Sequence, residues 1–339
     1  MARCHLDPVA GLPTSVIAKW LRDDQALGLR ADPSHLATEA AALEFLAQIG
    51  FPSVPRLIGS DLEAGVLILE DLSPCVALAD LLRAEGPEAS EADLIDFARV
   101  LGDLGAATVG RHALLERLRR RAAPIGGPAG HLATMDSAWP RTQRILARRG
   151  LEMPGAVERE LAAVAETLAA PGPFRAFSNG DPHPNNFLVG EHGGRLIDFE
   201  SAGFVHALTG AVWIHTPDPA WITAAQSKSA QLEAAFRAAL AAGIPEAEDD
   251  RLFGLGMAAC CLAWALTRLA RFETLDGRPA GDRSRRQMVA TLELAAAAAR
   301  RHRSLPALAG WAERAAAWLR RRWPDSDVDF AGYPAFTPR

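Results

Sequence analysis

The sequence SNGDPHPNNFLV at residues 178–189, followed by LIDFE at residues 196–200, carries the most informative polar side chains of the chain. Glycine and proline in the first stretch predict a loop, and the apolar residues that flank the intervening GEHGG predict a β-hairpin. Asp181 and Asn186 lie before the first strand of this hairpin, and Asp198 lies at the end of the second. We therefore expect the hairpin to bring the three side chains together.

These three residue types suit phosphoryl transfer, which needs an acceptor oxygen placed in line and cations that neutralise phosphate charge. The Asp181 carboxylate, held in a loop, can take the proton of an acceptor hydroxyl. The Asn186 amide oxygen and the Asp198 carboxylate are hard oxygen ligands of the kind that bind Mg²⁺. An alternative interpretation is that all three are turn residues, because Asp and Asn favour loops for their local hydrogen bonds alone.

An aspartate, an asparagine five residues later and a more distant Asp-Phe pair together resemble the catalytic region of the aminoglycoside phosphotransferase and choline kinase family. The resemblance covers residues 16–208, approximately. It implies an α+β, bilobal, protein-kinase-like fold. The small β-rich N-lobe would span residues 1–72, and the large, mainly helical C-lobe residues 73–339.

The resemblance also implies an ATP (or GTP)-dependent phosphotransferase that uses Mg²⁺ and acts on a hydroxyl of a small molecule. Within the catalytic loop at 178–189, Asp181 would be the base and Asn186 a metal ligand. The second metal ligand would be Asp198, in the metal-binding segment at 196–200. Aminoglycosides, choline-like amines, amino-acid hydroxyls and sugars all remain open as acceptors.

Lys19 ends a β-branched run shortly before a predicted helix, where this family keeps the lysine that holds the nucleotide phosphates. Its partner would be Glu39, because a carboxylate on an apolar helix face is costly unless it is paired. The alternatives are a surface lysine at a strand end and an acid favoured by the helix dipole. Glu70 and Leu72 resemble the hinge between lobes, whose backbone groups would bind the adenine edge.

The first lobe is predicted to combine short strands with one helix. Residues 2–21 read as a hairpin, 35–49 as a helix, and 56–59 and 65–69 as strands. Only 18 residues precede Lys19, too few for both a first strand and a full phosphate-covering loop in addition to the hairpin. We therefore expect a shortened N-lobe.

Two positions depart from the family pattern. Asn179 stands where the family usually has a histidine, and residues 206–210 lack an aspartate that commonly braces the catalytic loop. Asn179 can still hydrogen-bond within its loop. Among the histidines, we expect His183 to brace the turn, and His206 and His215 to be structural.

The composition excludes several classes of partner. A net charge of −5 with dispersed basic residues argues against nucleic-acid binding. The run Arg117–Arg121 is interpreted as a solvated helix face. The apolar stretch Leu252–Leu266 is too short to span a bilayer, so we expect a buried helix and no membrane partner.

Cysteine usage and the N-terminus favour a cytoplasmic protein. The four cysteines form no C-x-x-C pair and no spacing typical of a zinc site or of a disulfide framework. The N-terminus lacks a charged start followed by an apolar run, so no signal peptide is expected. Nothing in the sequence indicates the oligomeric state.

Two other function classes stay open at this point. The first is a catalytically impaired kinase-like protein that binds nucleotide or a protein partner. The intact set of Asp181, Asn186 and Asp198 argues against it. The second is a hydrolase that uses the carboxylates of Asp181 and Asp198 and needs neither Lys19 nor a hinge.

Overall fold

The structure is a computed structural model that describes residues 1–9, 11, 13–20, 32–122, 132–217, 228–280 and 282–326. In this part of the chain the N-lobe is built on a four-stranded antiparallel sheet with the strand order β1-β2-β4-β3. The predicted hairpin pairs β1 with β2, and Lys19 lies on β2 opposite Leu67 of β4. The strands are β1 Ala2–His5, β2 Ser15–Trp20, β3 Leu57–Asp61 and β4 Val66–Glu70.

Helix α1, Pro33–Gln48, packs against strands β3 and β4. It begins where the Asp32 side chain accepts a hydrogen bond from the Ser34 backbone N–H at 2.9 Å, which satisfies one of the free donors of the first turn. Its buried face carries Glu39, whose side chain is only 2 % exposed. The apolar neighbours of Glu39 on this helix are Leu36, Leu43, Phe45 and Leu46.

The C-lobe is mainly helical, and its helices pack around one apolar core. Helices α8 and α11 both pack against α10, and α3 packs against α7. Within the described residues these helices are α2 Leu78–Ala89, α3 Glu91–Thr108, α4 His112–Ala122, α5 Leu132–Arg148, α6 Gly155–Ala169, α7 Ser229–Ala241, α8 Asp250–Leu269, α9 Phe272–Asp276, α10 Arg283–Arg301 and α11 Pro306–Arg322.

Helix α8 contains the apolar stretch that the sequence interprets as a buried helix. By length and composition alone this helix could cross a membrane, with a mean hydropathy of 1.6. However, 78 % of that stretch is buried, against α10, α6, α5 and other elements of the lobe. A helix that is packed on all sides in the core of a globular protein is apolar all round, because each of its faces contacts other apolar side chains. The prediction of a buried helix is therefore confirmed.

Two small sheets of the C-lobe position the polar loop. Strand β5, Val76–Ala77, pairs with β7, Phe187–Val189, which pairs in turn with β8, Arg195–Leu196. The second sheet pairs β6, Arg175–Ser178, with β9, Gly203–His206. The catalytic loop thus runs from the end of β6 to the start of β7.

The β7–β8 hairpin lies at the border of the two lobes. The backbone N–H of Leu196 donates to the carbonyl of Ser53 at 2.8 Å, which ties the hairpin to the N-lobe side. Beyond β8, the N–H of Ile197 donates to the carbonyl of Asn186 at 3.0 Å. The chain therefore has the bilobal α+β architecture of a protein-kinase-like fold, with its polar loop facing the smaller lobe.

Candidate active site

Lys19 lies among three carboxylates. Its Nζ is 2.6 Å from Glu39 Oε2, 2.6 Å from Asp198 Oδ1 and 3.6 Å from Glu200 Oε2. The structure thus brings Lys19 and Glu39 together, as the sequence predicts, and adds Asp198 and Glu200 of the segment 196–200 to the same cluster. One positive charge facing three negative ones leaves a formal excess of negative charge.

Burial and the neighbouring charges shift the pKa values of this cluster in opposite directions. Burial alone would lower the pKa of the Lys19 ammonium, but the attraction of Glu39 and Asp198 outweighs burial and raises that pKa above its ordinary value. Burial raises the pKa of the Glu39 carboxyl, and the Lys19 charge acts in the opposite direction. Lys19 is therefore firmly charged, and its charge is what makes a carboxylate tolerable at the buried position of Glu39.

The Asp181 carboxylate is oriented through both of its oxygens. The Asn186 Nδ2 donates to Asp181 Oδ2 at 2.9 Å, and the His183 Nε2 lies 3.2 Å from Asp181 Oδ1. The same Asn186 nitrogen also donates to the Asp181 carbonyl at 3.0 Å. The amide nitrogen is thus used inside the loop, and the Asn186 amide oxygen accepts from Asn185 Nδ2 at 3.2 Å, which leaves one of its two lone pairs for a further partner.

The backbone of the catalytic loop is fixed by its neighbours. Gly180 has a φ of 86°, and a Cβ at this position would lie 2.1 Å from the Ser201 carbonyl oxygen, so only glycine fits. The fully buried Asn179 donates through Nδ2 to the Asp181 carbonyl at 3.1 Å. The departure from the family's histidine thus keeps a hydrogen bond inside the loop.

Asp198 has a backbone conformation that non-glycine residues rarely adopt, with a φ of 61°. Such conformations cluster at functional sites, where the surrounding structure holds them in place. Here the next residues turn back at once, since the Ala202 N–H donates to the Phe199 carbonyl at 3.1 Å. The turn points the Asp198 side chain toward Lys19, where its carboxylate remains 35 % exposed.

A cleft of about 460 Å³ extends from this cluster along the border of the lobes. Its walls are apolar where Ile17 faces Leu188 and Ile197, and one end carries Lys19 and Asp198. The cleft therefore joins an apolar part to a charged part, as ligand sites commonly do.

Glu70 and Leu72 line the rim of the same cleft. The Glu70 N–H donates to the Arg56 carbonyl at 2.9 Å, and the Leu72 carbonyl accepts from the Cys75 N–H at 3.0 Å. The Leu72 N–H has no acceptor among the described residues. The Glu70 carboxylate accepts from the Arg56 N–H at 3.0 Å, so its side chain ties the end of β4 to the residue before β3.

Sequence reasoning missed two contributors to this site. Glu200 was assigned no role, although it adds the third carboxylate around Lys19; its position two residues after Asp198 was the available signal. Arg119 was interpreted as part of a solvated helix face, and for this residue that prediction is wrong. Its side chain is 24 % exposed and donates through Nη2 to the Ala202 carbonyl, just beyond the metal-binding segment.

His206 occupies the stretch where the family's aspartate is missing. Its Nδ1 accepts from the Leu208 N–H at 3.3 Å and caps the 3-10 helix Ala207–Ile214. The ring stacks on Phe174 at 5.2 Å, and burial lowers the pKa of His206 to about 4. A neutral imidazole therefore caps this helix at neutral pH, which agrees with the structural role expected for His206.

Comparison with known proteins gives matches to solved structures and to one family model. No curated protein sequence matches the chain. Among solved structures, a choline/ethanolamine kinase family protein from Mesorhizobium loti is similar at a TM-score of 0.46 and 18% identity, covering 82% of this chain and 84% of that one. Choline kinase LicA from Streptococcus pneumoniae is similar at a TM-score of 0.45 and 14% identity, covering 88% and 94%.

The sequence match is broader than the catalytic motif. The model of the phosphotransferase enzyme family matches residues 20–249, which is more than half of the chain. The matched segment contains Glu39 on α1, the catalytic loop with Asp181 and Asn186, and Asp198. The chain therefore belongs to the phosphotransferase enzyme family.

Proposed function

We propose that the chain is an ATP (or GTP)-dependent kinase that transfers the γ-phosphoryl group to a hydroxyl of a small molecule. The observation that carries the proposal is the convergence of three segments on one cleft: Lys19 on β2, Asn186, whose amide holds the Asp181 carboxylate, and Asp198 beyond β8. Membership of the phosphotransferase enzyme family supports the same chemistry. The shared cleft makes a phosphotransferase a better account than three unrelated turn residues.

In this proposal Asp181 is the general base. Its side chain is 41 % exposed, so an acceptor can approach it, while Asn186 and His183 fix its direction. The acceptor oxygen attacks the γ-phosphorus as the bond from that phosphorus to the β–γ bridging oxygen breaks. The hydroxyl proton passes to the Asp181 carboxylate, and the nucleoside diphosphate leaves.

Lys19 is assigned to the α- and β-phosphates, with Glu39 fixing the direction of its ammonium group. We assign the base to the apolar part of the cleft, beside the backbone of Glu70 and Leu72. The unpaired N–H of Leu72 supports this assignment, because a base edge offers hydrogen-bond acceptors.

The oxygen donors of Asn186 and Asp198 fit Mg²⁺, which prefers amide and carboxylate oxygens together with phosphate oxygens. The excess of negative charge around Lys19 supports a cation at this place. When bound, Mg²⁺ supplies neutralisation of the phosphate charge during transfer.

The acceptor is proposed as a small molecule with a free hydroxyl, and the four acceptor classes named above stay in consideration. A protein or nucleic-acid acceptor is not proposed. All four cysteines are free, which fits a reducing compartment and supports the cytoplasm as the place of action.

Asp181→Asn tests the assignment of the base. Loss of a positioned general base lowers turnover by about 10²–10⁴-fold. Nucleotide binding should persist, because the amide keeps the shape of the side chain. Asp80→Asn, at an exposed position of α2, is the matched control and should keep full turnover. Turnover retained by Asp181→Asn would contradict the proposed role.

A further inference from the structure

Three polar side chains meet inside the C-lobe, apart from the proposed active site. His215 Nε2 lies 2.7 Å from Glu233 Oε2, and His302 Nε2 lies 3.0 Å from the same oxygen. The one ligand atom offered by each of the three residues lies within 4.8 Å of the other two. Three donor atoms of different residues are thus directed at one point.

The three residues come from separate elements. His215 follows the 3-10 helix Ala207–Ile214, Glu233 lies on α7, and His302 ends α10. None of them lines the nucleotide cleft. An ion held at this point would therefore join three parts of the helical lobe without touching the phosphoryl-transfer residues.

The cluster is largely shielded from solvent. The side chains of His215, Glu233 and His302 are 3 %, 14 % and 12 % exposed. The ring of Phe253 lies against His302 at 6.0 Å between centroids. An anionic carboxylate at such a place is costly without a positive charge close to it, and within the described residues the ion-pair partners of Glu233 are the two imidazoles.

We propose that His215, Glu233 and His302 bind a divalent transition-metal ion of the zinc class. Two imidazole nitrogens and one carboxylate oxygen form a donor set that suits Zn²⁺ and its neighbours in the periodic table, whereas Mg²⁺ and Ca²⁺ prefer oxygen ligands throughout. A tetrahedral Zn²⁺ ion bound by two histidines and one glutamate has a fourth coordination position, which water can occupy.

Two of the three separations between ligand atoms are close to those of a zinc site, and the third is no more than 4.8 Å. Zn²⁺ binds imidazole nitrogen and carboxylate oxygen at about 2.0–2.2 Å, so the ligand atoms of a tetrahedral site lie about 3.3 Å apart. The separations of 2.7 and 3.0 Å between the imidazole nitrogens and Glu233 Oε2 are within about 1 Å of that value. On binding, the hydrogen bonds to Glu233 are replaced by bonds to the ion, and each neutral imidazole carries its proton on Nδ1.

The test is a zinc titration of the full-length protein. All proteins carry Asp198→Ala, so that a proposed ligand of the nucleotide cleft does not contribute to binding. After removal of metal with a chelator, Zn²⁺ is titrated in competition with a chromophoric chelator. We expect one equivalent per chain, and we expect His302→Gln to weaken binding at least about tenfold.

His112→Gln is the matched control, because His112 is an exposed histidine at the start of α4 and should leave the titration unchanged. Zinc should also raise the melting temperature of the parent and of this control, but not of His302→Gln. If His302→Gln fails to fold, Co²⁺ bound to the parent gives the second readout, a visible spectrum of tetrahedral nitrogen and oxygen ligation. Stoichiometric binding that survives in His302→Gln, a thiolate spectrum or no binding by the parent would overturn the proposal.

Discussion

Two clusters of polar side chains, each containing at least one carboxylate, occupy different environments in this molecule. In the cleft, Lys19 faces Glu39, Asp198 and Glu200, and the last two side chains are 35 % and 40 % exposed. In the helical lobe, Glu233 is 14 % exposed and receives two imidazoles at one oxygen. The cleft thus presents unbalanced charge where a ligand can reach it, whereas the carboxylate of the inner cluster is shielded from solvent and contacts two imidazoles.

The two environments predict different contributions of a carboxylate to the free energy of folding. A half-exposed carboxylate next to a cation contributes little to folding, because water screens the pair. A buried carboxylate that loses its partners is costly, because its charge stays uncompensated. Glu39 combines both situations: it lies at the cleft, but its side chain is buried and depends on Lys19.

The largest expected effect comes from Lys19→Met. Phosphoryl transfer should fall at least a hundredfold, because a cation that neutralises the phosphates stabilises the transition state by about 3 kcal/mol or more. Stability should also fall, by about 3 kcal/mol, because Glu39 loses its buried partner. Enzyme turnover and urea unfolding measure the two effects.

A double variant separates these two roles of Lys19. Lys19→Met/Glu39→Leu should regain most of the lost stability, because no buried charge remains unpaired, while turnover stays low. Recovery of turnover in the double variant would contradict a role for Lys19 on the phosphates. Phosphate release that survives in full in Lys19→Met would instead favour a hydrolase.

Gly180→Ala disturbs the cleft through its backbone. The added Cβ would meet the Ser201 carbonyl oxygen at 2.1 Å, and the φ of 86° disfavours any side chain. The loop must therefore shift away from Asp198, and we expect turnover to fall at least about tenfold, with a loss of stability of about 2 kcal/mol. Gly110→Ala is the control, because its φ is also positive at 75° but nothing lies within 4 Å of the added atom. Equal turnover in the two variants would contradict the contact between these loops.

A smaller change is expected when the inner cluster is broken. Glu233→Ala removes the acceptor of both His215 and His302, and hydrogen bonds to a charged group contribute about 1.5–3 kcal/mol each before relaxation. We expect urea unfolding to show a loss of about 2 kcal/mol. Glu313→Ala, which breaks an exposed pair with Arg300, should cost less than about 1 kcal/mol. Similar losses in the two variants would mean that burial does not distinguish Glu233.

The pH dependence of stability reports on His206, whose pKa is lowered by burial. Its pKa of about 4 in the folded chain lies below the ordinary value of 6.5, so the unfolded chain binds more protons between these values. Stability is therefore full above pH 6.5 and falls as the pH drops toward 4, by about 2 kcal/mol between pH 7 and pH 5. His206→Asn should flatten this part of the unfolding profile; an unchanged slope would show that other groups cause it.

Much of the cleft could be predicted from the sequence because its signals are local. Asp181 and Asn186 are five residues apart in one loop, and Asp198 ends the neighbouring hairpin strand. The helix that carries Glu39 and the strand that carries Lys19 follow from hydrophobic pattern and turn residues. Their positions as site residues agree with the geometry, while their chemical roles stay predictions.

The remaining features depend on packing between distant segments, which no local pattern encodes. Arg119 reaches Ala202 across 83 residues of sequence, and a run of arginines looks solvated until α4 is placed against the C-terminal side of the metal-binding turn. His215 and His302 meet Glu233 from 18 and 69 residues away. Such contacts are set by helix packing, so the sequence alone predicted only a structural histidine at His215.

The central claim is that the cleft binds a nucleotide together with Mg²⁺, and thermal stability tests it most directly. The wild-type chain and Asp198→Ala are melted with ATP or GTP, each with and without Mg²⁺, because a ligand that binds the folded state raises the melting temperature. The account predicts a metal-dependent rise with at least one nucleotide, lost in Asp198→Ala. No rise with either nucleotide in the wild-type chain would contradict it and favour a kinase-like protein without nucleotide-dependent catalysis.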